Sequence, residues 1–345
     1  MKNLYAFFLT FYFISAFAQC PSGDITLSSQ AAVNTFAANY PTCTTISGTL
    51  MISGADITDL TPLIPINTIT GSLVVYLCPS LQNLNGFNNV NTIGGSCDLS
   101  ANNQLASVGG LENLTTVGNS FIISNAANLT NMNGLQALTS VGSLLSIKGT
   151  GITSFAGLDN LTSIGFFLEI SNNPTLISLN ELSNLTSIGG YIDMQNNPLL
   201  TTLSGLDNIN PTSITAILIK NSPNLSFCSV QSFCTFLTQI GGGTFSNNAT
   251  GCNSPSEITT ICNLAVAQQE TTEIAIYPNP VKDMLKLNIE KSSVISYTIS
   301  ETSGKEVIKA YGDNTTVDVS MLRAGIYILS ITTSESTFHT KFIKQ

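Results

Sequence analysis

Charge is what this chain most lacks. Charged residues make up 9% of its 345 residues, against about 25% in ordinary soluble domains. The surface that meets water must therefore be built from Asn, Ser, Thr and Gly. That polar set favours strands and turns. It argues against long exposed helices, which draw on Ala, Glu, Lys and Arg. Basic residues are the scarcer sign: 11 Lys and Arg against 20 Asp and Glu leave a net charge of −9. Nucleic acid is not expected as a partner, because phosphate contacts need clustered cations.

Histidine is almost missing as well. His339 is the only one, so a Ser or Cys nucleophile elsewhere would have no imidazole base. A surface strand residue is the better reading of it. The eight cysteines have no histidine beside them, which removes the usual zinc set. No Asp-x-Asp cluster offers a calcium site. No cofactor, metal or catalytic group is expected from this composition.

Long apolar runs are also lacking, with one exception. Leu4 to Ile14 follows Lys2 and precedes Ala16-Phe17-Ala18. A membrane span needs about 20 residues, so the run is short for one. Residues 1–18 read as a signal peptide with an A-x-A cleavage site and a mature start at Gln19. A lipoprotein reading through Cys20 is weaker, since Gln19 stands where a small residue is needed. No transmembrane segment is expected in the mature chain.

What is present is a repeat. An Ile or Val, usually followed by Gly, opens a unit at Ile46, Ile69, Ile93, Val117, Val141, Ile164 and Ile188. The steps are 23, 24, 24, 24, 23 and 24 residues. Phase held over that many units indicates a stacked architecture. Positions 5 and 7 of each unit are apolar, as in Leu73 and Val75 or Leu145 and Ile147, which is the alternation of a half-buried strand. Four further apolar residues follow at a spacing of three, as in Leu176, Leu179, Leu182 and Leu185. That spacing fits either a 3₁₀ turn or short strands and corners, and the second is favoured because Asn and Gly surround it. Asn102, Asn125, Asn172, Asn196 and Asn221 recur just after the main strand, where Asn can adopt a turn and bond the next rung.

One coil cannot bury its own apolar face, whereas stacked coils can. At about 4.8 Å per rung, seven rungs give a stack roughly 34 Å long. Its ends need covers. Cys20 and Cys43 bracket an amino-terminal cap over 19–45, with a short helix over Ala31 to Tyr40. Cys228, Cys234, Cys252 and Cys262 belong to a carboxy-terminal cap over 228–262, with an amphipathic helix over Ser229 to Ile240. Cysteines in an exported chain point to disulfides. The pairing is left open, with Cys228–Cys252 and Cys234–Cys262 as a guess, and Cys78 and Cys97 are not paired.

The run Leu182-Ser183-Asn184-Leu185-Thr186-Ser187-Ile188-Gly189-Gly190, together with the Gly-Leu inside each unit, resembles the leucine-rich-like repeats of receptor L domains in secreted proteins of Bacteroidetes-type bacteria. The likeness covers roughly Cys20 to Cys262. The unit at Val141 departs from it, with one residue missing around Gly149-Thr150-Gly151, which suggests a local kink.

Residues 263–272 are polar and without pattern, and read as a linker. Beyond them acidic and basic residues balance at eight each from Glu273 onward. Short strands punctuated by turns indicate a β-sandwich over 273–345. Tyr277-Pro278-Asn279-Pro280, then Gly304-Lys305, then Leu322-Arg323-Ala324-Gly325-Ile326-Tyr327, then Lys341-Phe342-Ile343-Lys344 resembles the type A sorting domain of the type IX secretion system. The resemblance implies passage through the periplasm and the outer membrane, removal of the tail, and release or surface attachment. It makes the type IX machinery a partner.

The expected fold is therefore mainly all-β: a right-handed β-solenoid of about seven 24-residue rungs over 46–227 with small helical caps, followed by an immunoglobulin-like β-sandwich. Outward positions of the main strands, together with position 4 in two units, give the candidate binding face: Met51, Val74, Tyr76, Asp98, Ile122, Phe167, Glu169, Tyr191 and Asp193. Its first rungs are apolar where polar residues cost less; such a patch is either an interaction site or is covered by a cap, a neighbouring loop or self-association. The expected function is binding or adhesion, toward a protein or glycan, and not catalysis. The alternatives are a carbohydrate-active enzyme using Glu169 and Asp193 as its carboxylate pair, or a structural surface-layer component. Asn113, Asn160 and Asn184 match a glycosylation triplet, but the repeat itself accounts for their common phase.

Overall fold

A computed structural model of the protein describes residues 20–269, 275–288, 294–311, 316–333 and 337–345. The expected signal peptide, 1–18, lies outside these residues. The chain divides into two compact units, with the boundary after Asn263. Strands dominate, and the sheets of the first unit are parallel.

In the first unit each repeat opening lies in a two-residue strand, from Thr45–Ile46 to Ser187–Ile188. Seven of these strands form a minor parallel sheet. The alternating residues build a second, ten-stranded parallel sheet that runs from Ile25–Leu27 to Gly243–Ser246. Its register stacks like on like. Leu145 stands between Phe121 and Leu168, and Ile147 between Ile123 and Ile170. All six side chains are fully buried. The main sheet is longer than the seven repeat openings because a partial eighth unit adds Ala216–Lys220 and each cysteine-rich end adds one strand. The regions expected as caps are thus partly continuations of the stack.

The apolar residues spaced three apart are not strands. Their backbones form successive turns in which each N–H bonds the carbonyl three residues back, as in Leu135 to Met132 and Leu138 to Leu135. In several coils the turn closes into a short 3₁₀ helix, including Thr61–Leu63 and Asn180–Asn184. The turn geometry set aside from sequence is the one adopted, because every third side chain of such a turn faces the same way. Glycine is needed where the turn crosses the preceding coil. A Cβ on Gly86, Gly110 or Gly157 would come within 1.9–2.2 Å of a backbone oxygen.

Two asparagine columns follow the main strand, not one. In the first, Asn125, Asn172, Asn196, Asn221 and Asn247 are left-handed, with φ between +54 and +58°, a conformation Asn tolerates better than most side chains. Their amides form an exposed ladder, Asn196 to Asn172, Asn221 to Asn196 and Asn247 to Asn221, at 2.9–3.0 Å. Asn102 does not belong to it. Ala101 takes the left-handed position in that coil. Asn102 sits one residue on, in a buried column with Thr150, Asn173 and Asn197. There the side chain supplies the hydrogen bonds that a turn inside the core would otherwise lose. Asn173 Oδ1 accepts from the Thr150 N–H at 3.0 Å, and its Nδ2 donates to the Ile147 carbonyl at 3.0 Å. A third column, Asn113, Asn160 and Asn184, donates to carbonyls of the preceding coil at 2.6–2.7 Å, which is the structural reason these residues share a phase.

The short coil at Val141 is not kinked out of register. Its strand, Leu144–Thr150, is the longest of the main sheet and pairs on both sides. Gly149, at φ +60°, takes the left-handed position.

The ends differ in detail from expectation. The first helix is Gln30–Asn39, capped by Ser29, whose Oγ accepts from the Ala32 N–H at 3.1 Å. In place of one amphipathic helix over 229–240 there is a short α-helix, Gln231–Thr235, that continues as a π-helical turn, Phe236–Ile240. A further helix, Pro255–Gln269, enters the stretch read as a patternless linker. Residues 263–269 are Asn-Leu-Ala-Val-Ala-Gln-Gln, mostly good helix formers, so nothing stops the helix at Cys262. Cys20 is bonded to Cys43, Cys228 to Cys252 and Cys234 to Cys262. Cys78 and Cys97 are free and fully buried. Burial pushes both thiols up, and at Cys97 the neighbouring Asp98 charge adds to it.

The second unit holds a three-stranded and a four-stranded sheet, both antiparallel. Val281, Leu285, Val317, Ile299, Leu329 and Phe342 from the two sheets and their connections belong to one buried cluster.

The two asparagine columns should respond differently to substitution. Asn173→Ala should cost about 3 kcal/mol, since two buried backbone groups lose partners at about 1–3 kcal/mol each. Asn172→Gly should stay within about 0.5 kcal/mol, because glycine suits the left-handed backbone. Urea unfolding midpoints compare them, and equal shifts would refute the division. A thiol reagent should leave the native protein unmodified and label Cys78 and Cys97 once it is denatured.

Candidate functional site

The outward residues of the main sheet form straight columns, because every strand is parallel and in register. Met51 pairs with Val74, Val74 with Asp98, and Asp98 with Ile122. The column continues through Ser146, Glu169 and Asp193. Eight of the nine residues picked from sequence lie in this column or follow from its strands on the same face, and Tyr76 lies just past the end of Leu73–Val75. Met51 and Tyr76 are exposed, at 41% and 42%, while Val74, Asp98 and Ile122 are half-buried.

Farther along, the carboxylates Glu169 and Asp193 are direct register partners. Like charges placed opposite one another are unfavourable, and the neighbourhood compensates. Lys148 Nζ lies 2.9 Å from Glu169 Oε1. Ser146 Oγ donates to Glu169 Oε2 at 2.7 Å. Gln195 Nε2 donates to Asp193 Oδ1 at 2.7 Å. Both oxygens of Glu169 are therefore already engaged.

The face is not flat, as an open sheet would be. A depression of about 530 Å³ is lined by Ile122, Leu144, Ser146, Lys148 and Glu169 among others. Its cause is Ser146, a short side chain standing between Ile122 and Glu169 and only 2% exposed.

At position 4 the rings of Phe167 and Tyr191 lie 4.4 Å apart between centroids. Phe166 joins them, 6.0 Å from Tyr191 in an edge-to-face arrangement. Phe166 and Tyr191 are 51% and 39% exposed. Phe166, Ser146 and Ser171 were not picked from sequence. Phe166 was findable as half of a Phe-Phe pair that no other unit carries. Ser146 and Ser171 gave no signal, since serine at an outward position is ordinary.

Among the described residues no group of three or more His, Cys, Asp or Glu could hold a metal ion. No helix among them is long and apolar enough to cross a membrane.

In the second unit the Tyr277-Pro278-Asn279-Pro280 segment is tied to the last strand, Thr337–Lys344. Asn279 Oδ1 accepts from the Ile343 N–H at 2.9 Å, and the Val281 N–H donates to the Ile343 carbonyl at 2.8 Å. Tyr327 follows Gly325 in the strand Gly325–Thr333; its ring stacks on Phe342 at 5.7 Å and its hydroxyl donates to the Arg323 carbonyl. His339 is an exposed strand residue hydrogen-bonded to Ser330.

Residues 275–345 match the secretion system C-terminal sorting domain, the signal read by the type IX machinery. Residues 42–107 match the receptor L domain. That second match spans the openings Ile46, Ile69 and Ile93, a shorter stretch than the repeat itself. No curated protein matches the chain. The sorting-domain match makes this a secreted or outer-surface protein that engages the secretion machinery through its last residues.

A chain ending at residue 269 should accordingly remain in the periplasm of a type IX-competent cell, while the full chain reaches the surface or the medium. Cell fractionation and immunoblotting read the outcome. Export of the shortened chain at the full rate would refute the role of the tail.

Proposed function

We propose that this is an extracellular binding protein, acting in adhesion, whose working surface is the outward face of the ten-stranded sheet. On this reading a cleavable signal peptide and the sorting domain deliver it. The receptor L domain match over 42–107 supports a recognition role. The parallel register supports reading the first unit as a right-handed solenoid, and the shared core of the two antiparallel sheets supports an immunoglobulin-like sandwich in the second.

One observation carries the proposal. Exposed and half-buried apolar groups gather at two places on this face, with Met51 beside Val74 near one end and aromatic rings in contact near the other. Scattered exposed apolar residues need no explanation, whereas a joined patch on an exported protein marks a contact surface. Binding is favoured over catalysis because Glu169, the better candidate for acid–base work, already has Lys148 and Ser146 on its two oxygens.

Replacing Met51, Val74 and Tyr76 together by Ser should lower the adhesion of cells displaying the full chain to protein-coated and glycan-coated surfaces several-fold. The melting temperature should move by only a few degrees, since these side chains point away from the core. Adhesion equal to that of the parent at equal surface amount would sink the proposal for this end of the face. Glu169→Gln should leave adhesion unchanged.

A further inference from the structure

The fourth column of the main sheet changes character partway along the stack. In the early coils it holds Thr49, Ser72, Ser96 and Ser120. These hydroxyls serve the fold: Ser72 Oγ accepts from the Ser96 N–H at 2.9 Å, and Ser96 Oγ from the Ser120 N–H at 3.4 Å. From Leu144 the column turns apolar, and Phe167 and Tyr191 follow. The early coils stack with a hydroxyl at this position and the last strand with Ala216, so stacking does not require the rings. They are also poorly used as core, since Tyr191 and the adjoining Phe166 remain 39% and 51% exposed. Gly190 permits this cluster. A Cβ there would meet the Phe166 carbonyl oxygen at 2.0 Å and its ring at 2.8 Å.

Polar groups flank the rings on the same face. Along one strand Tyr191, Asp193 and Gln195 point outward by alternation. With the Gln195 amide nitrogen on Asp193 Oδ1, Asp193 Oδ2 and the Gln195 side-chain oxygen have no partner among the described residues. Ser171 supplies an independent sign. It stands in register between Lys148 and Gln195, is 6% exposed, and its Oγ is buried with no hydrogen-bond partner. Buried hydroxyls are ordinarily paired, and this one lies among the outward groups of the face.

We propose that Phe166, Phe167 and Tyr191 form a platform for a neutral glycan, with Asp193 and Gln195 taking its hydroxyls. The proposal rests on the reading of this sheet face as the binding surface and names the ligand class for one end of it. A pyranose has an apolar C–H face that packs on an aromatic ring and a rim of hydroxyls that both donate and accept. The platform offers both halves of that match side by side. Tyr adds a polar tip to its apolar body. Acidic sugars are disfavoured, because Glu169 and Asp193 put paired carboxylates beside the rings and the whole chain carries −9.

The test is binding of the full chain to an array of neutral oligosaccharides, with uronate-containing and sulfated glycans on the same array. At least one neutral glycan should bind in preference to the acidic ones. Phe167→Ser with Tyr191→Ser restores the hydroxyl the early coils carry and should weaken that binding at least tenfold without lowering the melting temperature. Asp193→Ala with Gln195→Ala leaves the rings in place and should weaken it comparably, so a folding defect in the ring variant does not leave the question open. Failure of every neutral glycan to bind overturns the proposal, as does undiminished binding by both platform variants. If no glycan binds while adhesion still depends on Met51, Val74 and Tyr76, the glycan assignment fails and the wider binding function stands.

Discussion

Each coil of the first unit gives its backbone hydrogen bonds to its neighbours, and everything else follows from that arrangement. Parallel strands two residues long could not persist alone. They persist here because the Thr139 N–H bonds the Thr115 carbonyl, and Thr162 bonds Thr139 in the same way. Their hydroxyls repeat the contact at 3.0–3.1 Å. The stack then fixes the columns. A residue at a given position has no choice of neighbour other than its counterparts one coil above and below. Inward columns become a continuous core of Leu, Ile and Val. Outward columns become rows whose chemistry is set one coil at a time.

That constraint explains how much was legible in the sequence. The opening residues and the alternating pairs such as Leu73 and Val75 repeat with a nearly fixed step, so the strands and the buried face could be read directly. The asparagines could not be sorted, because Asn102 and Asn125 differ by one position. One residue decides between an exposed left-handed turn and a buried hydrogen-bonding post, and composition is blind to that offset. The apolar spacing of three suits a 3₁₀ turn and a corner equally, and only the backbone bonds decide. The helix through Gln269 was hidden by its polar glutamines, although its alanines and leucine favour helix.

The binding face was legible as a set of positions but not as a surface. Alternation gave Glu169 and Asp193 as neighbours, and the register agrees. It could not give the role of Ser146, whose small size makes the depression and whose hydroxyl occupies one oxygen of Glu169. Nor could it show that Phe166, one residue outside the strand pattern, turns its ring toward Tyr191. Such features depend on how side chains fill the space between columns, and a repeat pattern carries no information about that space.

The disulfides lie at the two ends of the stack, at Cys20–Cys43 and at the Cys228–Cys252 and Cys234–Cys262 pair. A chain of nearest-neighbour contacts ordinarily frays from its termini, where a unit has one partner instead of two. Covalent staples at both termini remove that route. Under tension or protease attack outside the cell, the seam that opens first must then be internal. One internal coil also lacks a post of the buried polar column: at Ala126 a methyl group takes the place of a hydrogen-bonding side chain. A repeat stack built this way holds its two ends covalently and leaves its middle to hydrogen bonds and packing alone.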